Sequence, residues 1–426
     1  MLHTSDGTFY LYGAYHDNRK AAGQPSIRVI AMVDRLEIKV ETRCLLWYDM
    51  DKDPIVVPVV EYEYIYKRTW SYYRPQYLQP YLMACKLPSA SVVKALGVPP
   101  DMVPVSVSLV EKTREAASNN LRVNNNVPDK RGGFAVCVKG LDFTDELLSV
   151  RLIEWIELLA VLGVEKIILY EFELHPTVSS VLHYYEEVGQ VEILPISLPG
   201  DQPNIPELRR SYLKTNLGSK KLAEMVPYND CLYRNLNSYD YVAILDIDEV
   251  IMPINATSWR ELMDVVVRKS STDDATAPSP YSSYVFRNVY FWDDNGVSNL
   301  EDWEPDIPMY MHMLRHVYRS ANYTGPSSYV KSIHDVQKVL TVHNHFPLAC
   351  LGPTKDCRYY TVDVETAHMQ HYRADCHAEL EKTCRRDYKM LLVKDTSIWR
   401  FADELIFRMD QTLYDFDFLL FDKDDA

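Results

Sequence analysis

Tyr241-Val242-Ala243-Ile244-Leu245-Asp246-Ile247-Asp248-Glu249 runs from an apolar segment straight into two carboxylates one residue apart. The apolar part reads as a buried strand, and open α/β sheets bind ligands at the C-terminal edge of such strands. On extended backbone Asp246 and Asp248 share one face while Ile247 turns back into the core. Carboxylates placed in this way can hold a hard divalent cation, and the cation can hold a diphosphate. Asp-x-Asp also occurs at Asp49/Asp51, Asp51/Asp53, Asp415/Asp417 and Asp422/Asp424. Of these pairs, only Asp246/Asp248 follows a clean apolar strand.

Upstream of that strand the pattern alternates. Phe134–Val138, Lys166–Tyr170 and Val191–Pro195 read as strands. Asp145–Leu162, closed by Gly163, and Val178–Val188 read as helices, as do Leu208–Leu217 and Lys221–Leu236 with a break near Pro227. Tyr239–Leu245 is then the fourth strand. Alternation at this spacing predicts a parallel sheet with right-handed crossovers, and it places the aspartates after three βα units.

Residues 8–110 differ in character. Phe9–Tyr12, Ile27–Val33, Thr42–Tyr48, Ile55–Tyr66, Tyr81–Leu87 and Val103–Val110 are rich in β-branched and aromatic residues and read as an antiparallel sheet or small sandwich. The polar stretch Glu111–Gly133 reads as a linker. The domain boundaries expected are 1–125 for a β-rich unit, 133–400 for an α/β unit and 401–426 for a C-terminal extension.

Composition narrows the function. The chain has 426 residues, is 47% hydrophobic and carries a net charge of −15. It is long enough for a large core and lacks the basic stripe that nucleic-acid binding requires. The cysteines number eight and contain no C-x-x-C zinc pattern. Cys350/Cys357 and Cys376/Cys384 are spaced for local disulfide loops, with eight buried thiols as the alternative. Asn255-Ala256-Thr257 and Asn322-Tyr323-Thr324 are glycosylation sequons and tilt the reading toward a secretory lumen. The N-terminal residues do not read as a signal peptide, and the longest apolar candidate, Leu152 to Tyr170, carries four charges (Glu154, Glu157, Glu165, Lys166).

Several short motifs recur in one order. They are Ala14-Tyr15-His16-Asp17-Asn18-Arg19, Val136-Cys137-Val138-Lys139, Tyr228-Asn229-Asp230-Cys231-Leu232-Tyr233-Arg234 and Leu245-Asp246-Ile247-Asp248-Glu249-Val250. Lys331-Ser332-Ile333, Val342-His343-Asn344-His345 and His371-Tyr372-Arg373 follow. In these the chain resembles glycosyltransferase family 92, from about Phe9 to about Arg400. The resemblance implies a GT-A-like nucleotide-sugar-binding domain with a mostly parallel central sheet, preceded by a smaller β-rich domain. It also implies inverting transfer, typically of galactose from UDP-galactose with Mn²⁺, onto a glycan such as the fucose of an N-glycan core. The cytoplasmic tail and membrane helix expected of such an enzyme are not in this sequence. The expectation is therefore the Golgi-lumenal part of a single-pass type II membrane protein.

On this reading Asp246 and Asp248 hold the metal, with His371 as a further ligand and His345 next. Glu249 orients a ligand, as opposed to serving as a helix-start carboxylate before Pro253. Asn229, Asp230 and Arg234 meet the donor, although Asn and Asp opening a short helix are also what N-caps look like. Lys331 and Arg373 face phosphate. Inversion needs a base, and the loop Trp292-Asp293-Asp294-Asn295-Gly296 offers Asp294. A rival reading is a haloacid-dehalogenase-like phosphatase, since Asp246-Ile247-Asp248-Glu249-Val250 matches its nucleophile motif with Asp246 attacking phosphorus. A non-catalytic glycan-binding protein on the same fold is the third.

Overall fold

The computed structural model describes residues 1–49, 52–70, 77–111, 116–143, 148–273, 281–293, 307–352, 354–376 and 381–416. Its N-terminal strands form a closed barrel, in place of the open sheet or sandwich expected. The order is Phe9–Asp17, Ser26–Val33, Gln79–Lys86, Ile55–Tyr64, Arg43–Trp47, Ser106–Val110, Leu121–Asn124. Leu121–Asn124 then pairs in parallel with Phe9–Asp17. Closure removes the unpaired edges that an open sheet would present. The closing strand lies inside the stretch read as linker. Its approach is fixed by Asn119, whose side chain accepts from the Leu109 N–H at 2.8 Å and donates to the Leu109 carbonyl at 2.9 Å. The asparagine-rich composition that suggested a linker is partly backbone pairing by side chains. Phe9, Ile27, Val29, Leu46 and Met83 fill the barrel around the Cys44–Cys85 disulfide.

Beyond Gly132 the chain builds a seven-stranded sheet ordered Val191–Pro195, Lys166–Leu174, Gly132–Phe143, Tyr239–Ile244, Lys331–Asp335, Ser283–Phe286, Tyr359–Thr361. The first four run parallel. Lys331–Asp335 is antiparallel to both of its neighbours. The crossover helix Ser149–Val161 turns Leu152, Trp155, Ile156 and Leu159 into the core at helical spacing. It ends at Gly163, whose φ of +90° suits glycine.

A second sheet holds Glu249–Pro253, Ala367–Arg373, Asn288–Trp292, Tyr318–Ser320 and Leu392–Lys394. The stretch up to Trp292 holds two strands. Ser283–Phe286 belongs to the first sheet and Asn288–Trp292 to the second, so the chain changes sheets at Arg287. The C-terminal helix Ala402–Asp415 is not an appendage. It buries Leu405, Met409 and Leu413 in the main core, and Arg408 Nη1 meets Glu157 of the first helix at 3.1 Å.

Barrel and sheets meet over the helix Met225–Arg234. Tyr15 from the barrel and Tyr170 from the sheet both donate to the fully buried carboxylate of Asp230, and Arg234 Nε meets it at 2.7 Å. Asn229 Oδ1 accepts from the Val342 N–H at 2.9 Å, and its Nδ2 donates to the Val342 carbonyl at 2.9 Å. On the barrel side Arg19 pairs with Asp17 at 2.8 Å and donates to the Val336 and Val339 carbonyls. Asp230→Ala strands two buried hydroxyls and a guanidinium, so it should cost roughly 3–5 kcal/mol, read as a lower urea midpoint. An unchanged midpoint would show that this carboxylate does not hold the seam.

Candidate functional site

Tyr239–Ile244 delivers Asp246 and Asp248 to the sheet's C-terminal edge, beside a cavity of ≈ 890 Å³. Asp246, Asp248, Lys139, His371 and Arg373 all line it. Lys139 arrives on the neighbouring parallel strand Gly132–Phe143, and His371 and Arg373 on Ala367–Arg373 of the second sheet.

The two aspartates have different surroundings. One oxygen of Asp246 meets Lys139 Nζ at 2.7 Å and the other meets Lys331 Nζ at 3.2 Å. Burial pushes the Asp246 carboxyl up, but these two ammoniums outweigh burial and hold it well below the usual carboxylate range. Lys331 is almost wholly buried and also meets Glu249 Oε2 at 2.7 Å. Burial pulls the Lys331 ammonium down, and Asp246 and Glu249 reverse this and raise it. Glu249 Oε2 accepts from the Asp246 N–H at 2.9 Å, so this side chain fixes the aspartate's backbone. Asp248 is more open, with its side chain 44% exposed, and its partner is an imidazole: His371 Nε2 lies 3.2 Å from Asp248 Oδ2. His371 Nδ1 in turn lies 3.3 Å from Asn288 Nδ2 and 3.4 Å from Glu249 Oε1.

Carboxylate oxygen and imidazole nitrogen suit Mn²⁺ or a similar cation, so Asp248 and His371 fit as two of its ligands. Asp246 is committed to lysines.

Other expected site residues lie elsewhere. Asn229 and Asp230 sit in mid-helix, neither capping it nor lining the cavity; their polar atoms are spent on the seam between barrel and sheets. Arg234 pairs with Asp230 and does not line the cavity either. Lys331 is the buried counter-ion of Asp246 and Glu249 and does not present itself to a phosphate. His345, expected as a further ligand, lies away from the cavity. Val339–Val342 and Pro347–Cys350 form a hairpin, and His343 and His345 lie in its turn. His345 Nδ1 bonds the Val330 carbonyl at 2.7 Å and the residue does not line the cavity. Asp294 lies outside the described residues. The sequon residues Asn255 and Asn322 are exposed, although Asn322 Nδ2 donates to the Asp387 carbonyl at 2.7 Å.

Residues given no role from sequence fill the cavity wall. Arg151, Arg210, Lys214 and Lys220 add to Lys139 and Arg373, so six cationic side chains line a cavity that also carries the carboxylates of Asp142, Glu224, Asp246, Asp248 and Asp375. Phe172, Ile196 and Leu198 supply an apolar wall. The signal for Lys139 was present: it follows the first strand at the edge where Asp246 follows the fourth. The helix residues left no comparable trace.

A family model for glycosyltransferase family 92 matches residues 132–408, well over half of the chain. The chain belongs to glycosyltransferase family 92. The match begins at the sheet domain, so the barrel motif Ala14–Arg19 lies outside it. No curated protein matches the chain. Among solved structures it is similar to TarS 1–349 of S. aureus, at 10% identity and a TM-score of 0.23, covering 48% of this chain and 47% of that one. It is also similar to the apo WbbM bifunctional glycosyltransferase, at 10% identity and a TM-score of 0.22, covering 46% and 29%. The chain thus spans less than half the length of either.

Three imidazoles near the site, His334 buried and His343 and His345 half-buried, lie below the ordinary histidine range. Burial lowers His334 to about 3 and His343 to about 2, and burial with Lys331 lowers His345 to about 4. As pH falls below about 6.5 the unfolded chain takes up protons that the folded chain refuses, so stability drops by about 1.4 kcal/mol per pH unit for each histidine. Urea midpoints measured at about pH 7.5, 6 and 5 should fall in that order. Equal midpoints would contradict the burial of these rings in neutral form.

Proposed function

We propose that the protein is an inverting glycosyltransferase of GT-A type that moves a hexose, galactose first among candidates, from a UDP-sugar to a glycan acceptor. The acceptor proposed is fucose of an N-glycan core. The observation that carries this reading is the Asp248–His371 pair on the wall of a cavity that also presents six cationic side chains. A nucleoside diphosphate needs both features, a metal-binding edge and distributed positive charge.

Asp248 and His371 would hold Mn²⁺, which when bound supplies Lewis-acid stabilisation of the departing diphosphate. Lys139 and Lys331 fix Asp246 beside them, and Glu249 fixes its backbone. Arg373 is placed to meet phosphate oxygens with its planar fork. Phe172, Ile196 and Leu198 give the uracil an apolar face. Positive charge on the wall favours charge that builds on the leaving group, so stabilisation is greatest in the transition state.

A Golgi-lumenal location, with a type II membrane anchor beyond this sequence, is part of the proposal. It is supported by four disulfides: Cys44–Cys85, Cys137–Cys231, Cys350–Cys357 and Cys376–Cys384. Among the described residues no helix is long and apolar enough to cross a membrane.

The test is UDP release from a panel of UDP-sugars with a fucosylated N-glycan acceptor, in Mn²⁺ and in EDTA. Release should require UDP-galactose, acceptor and Mn²⁺ together. Asp248→Asn and His371→Ala should each lower it by about 100-fold. Equal release in EDTA would overturn the metal assignment, and release from another UDP-sugar would overturn galactose.

A further inference from the structure

A second cluster of ligating atoms lies outside the Asp248–His371 pair. Asp293 directly follows the strand Asn288–Trp292, while His312 and His316 lie one helical turn apart in a tight segment, with the His316 N–H donating to the His312 carbonyl at 3.2 Å. One ligand atom from each of the three residues can be chosen so that all lie within 4.8 Å of one another. Among the described residues this is the trio of histidine, cysteine and acidic side chains that meets that condition.

Its geometry is close to that of a coordination shell. His312 Nε2 lies 2.9 Å from Asp293 Oδ1, and His316 Nε2 lies 3.9 Å from the same oxygen. Ligands about 2.1 Å from a tetrahedral zinc ion stand about 3.4 Å apart, between these two separations. The side chains are 9–23% exposed, so the trio is sheltered but reachable.

The surroundings prepare each ligand. His316 Nδ1 bonds the His312 carbonyl at 2.6 Å; the N–H is therefore on Nδ1, and Nε2 presents a bare lone pair. Asp293 Oδ2 is held by Arg151 Nη1 at 3.1 Å, which leaves Oδ1 for the cluster. The segment that carries the histidines is clamped from below by Glu154. This fully buried carboxylate accepts from the His312, Met313 and Leu314 N–H groups at 2.7, 2.9 and 3.1 Å. A buried carboxylate spent on three backbone amides fixes the loop whose side chains form the trio.

We propose that Asp293, His312 and His316 form a second metal site, for a zinc-type divalent ion, distinct from the site at Asp248 and His371. The ion takes the place of the proton between His312 Nε2 and Asp293 Oδ1 and draws His316 Nε2 inward. Two imidazoles and one carboxylate select zinc-like ions over Mg²⁺ or Ca²⁺. His312 lines the cavity, so the ion is reached from the same opening as the donor. The proposal does not depend on the donor or acceptor assigned above.

The experiment is Co²⁺ titration of the metal-stripped full chain, followed by visible absorption and then by displacement with Zn²⁺. The wild type and Asp248→Asn should each bind one Co²⁺ with the intense visible band of a low-coordinate site. His316→Ala and Asp293→Asn should lose it, with affinity falling about 100-fold or more. No band in the wild type, or a band that survives both substitutions, overturns the proposal. Should either variant fail to fold, carbethoxylation of the wild type decides. Zn²⁺ should shield His312 and His316 from modification, and shielding confined to His371 refutes the second site.

Discussion

The Lys331 ammonium is the contact on which the site depends. It is almost wholly buried between Asp246, which follows the fourth parallel strand, and Glu249, which begins the second sheet, while Lys331 itself belongs to the antiparallel strand of the first. One cation therefore joins two sheets and positions the carboxylate edge of the cavity. Removing it would leave two carboxylates facing each other with burial against them, which is far costlier than losing a surface ion pair. The arrangement also divides labour between the aspartates: Asp246 is neutralised from within, and Asp248 faces the cavity.

The segments around that contact were legible to the extent that they are local. The run Tyr241–Leu245 and its carboxylates follow from periodicity alone, and Val191–Pro195 was read to the residue. The short disulfides Cys350–Cys357 and Cys376–Cys384 were visible as spacings. Cys44–Cys85 and Cys137–Cys231 were not, because strand and helix packing across 41 and 94 residues brings those sulfurs together. Burial misled the reading of Asn229 and Asp230: polar residues set inside a motif look like ligand contacts, yet a polar group sealed in a seam needs its partners just as strictly. His312 and His316 stand four residues apart in the sequence, but only the fold brings Asp293 to them, with Glu154 holding the segment that carries His312.

The barrel and the sheet domain are tied by polar contacts as well as by apolar surface. Arg19 caps carbonyls of the hairpin that Asn229 also clamps, so barrel, helix and hairpin share one set of hydrogen bonds. That explains why motif-like residues lie far from the cavity. They specify how the domains seat, and the cavity inherits its shape from that seating.

The placement of the last helix has a consequence for biosynthesis. The barrel is complete once Asn124 has emerged from the ribosome, and it can close while the rest is being made. The sheet domain cannot. Its first helix, Ser149–Val161, keeps part of its packing surface unmet until Ala402–Asp415 has been translated, because those residues supply Leu405, Met409 and Leu413 to the same core. For most of its synthesis the nascent chain therefore carries a finished domain ahead of an unfinished one, and any chaperone would have its work at the second.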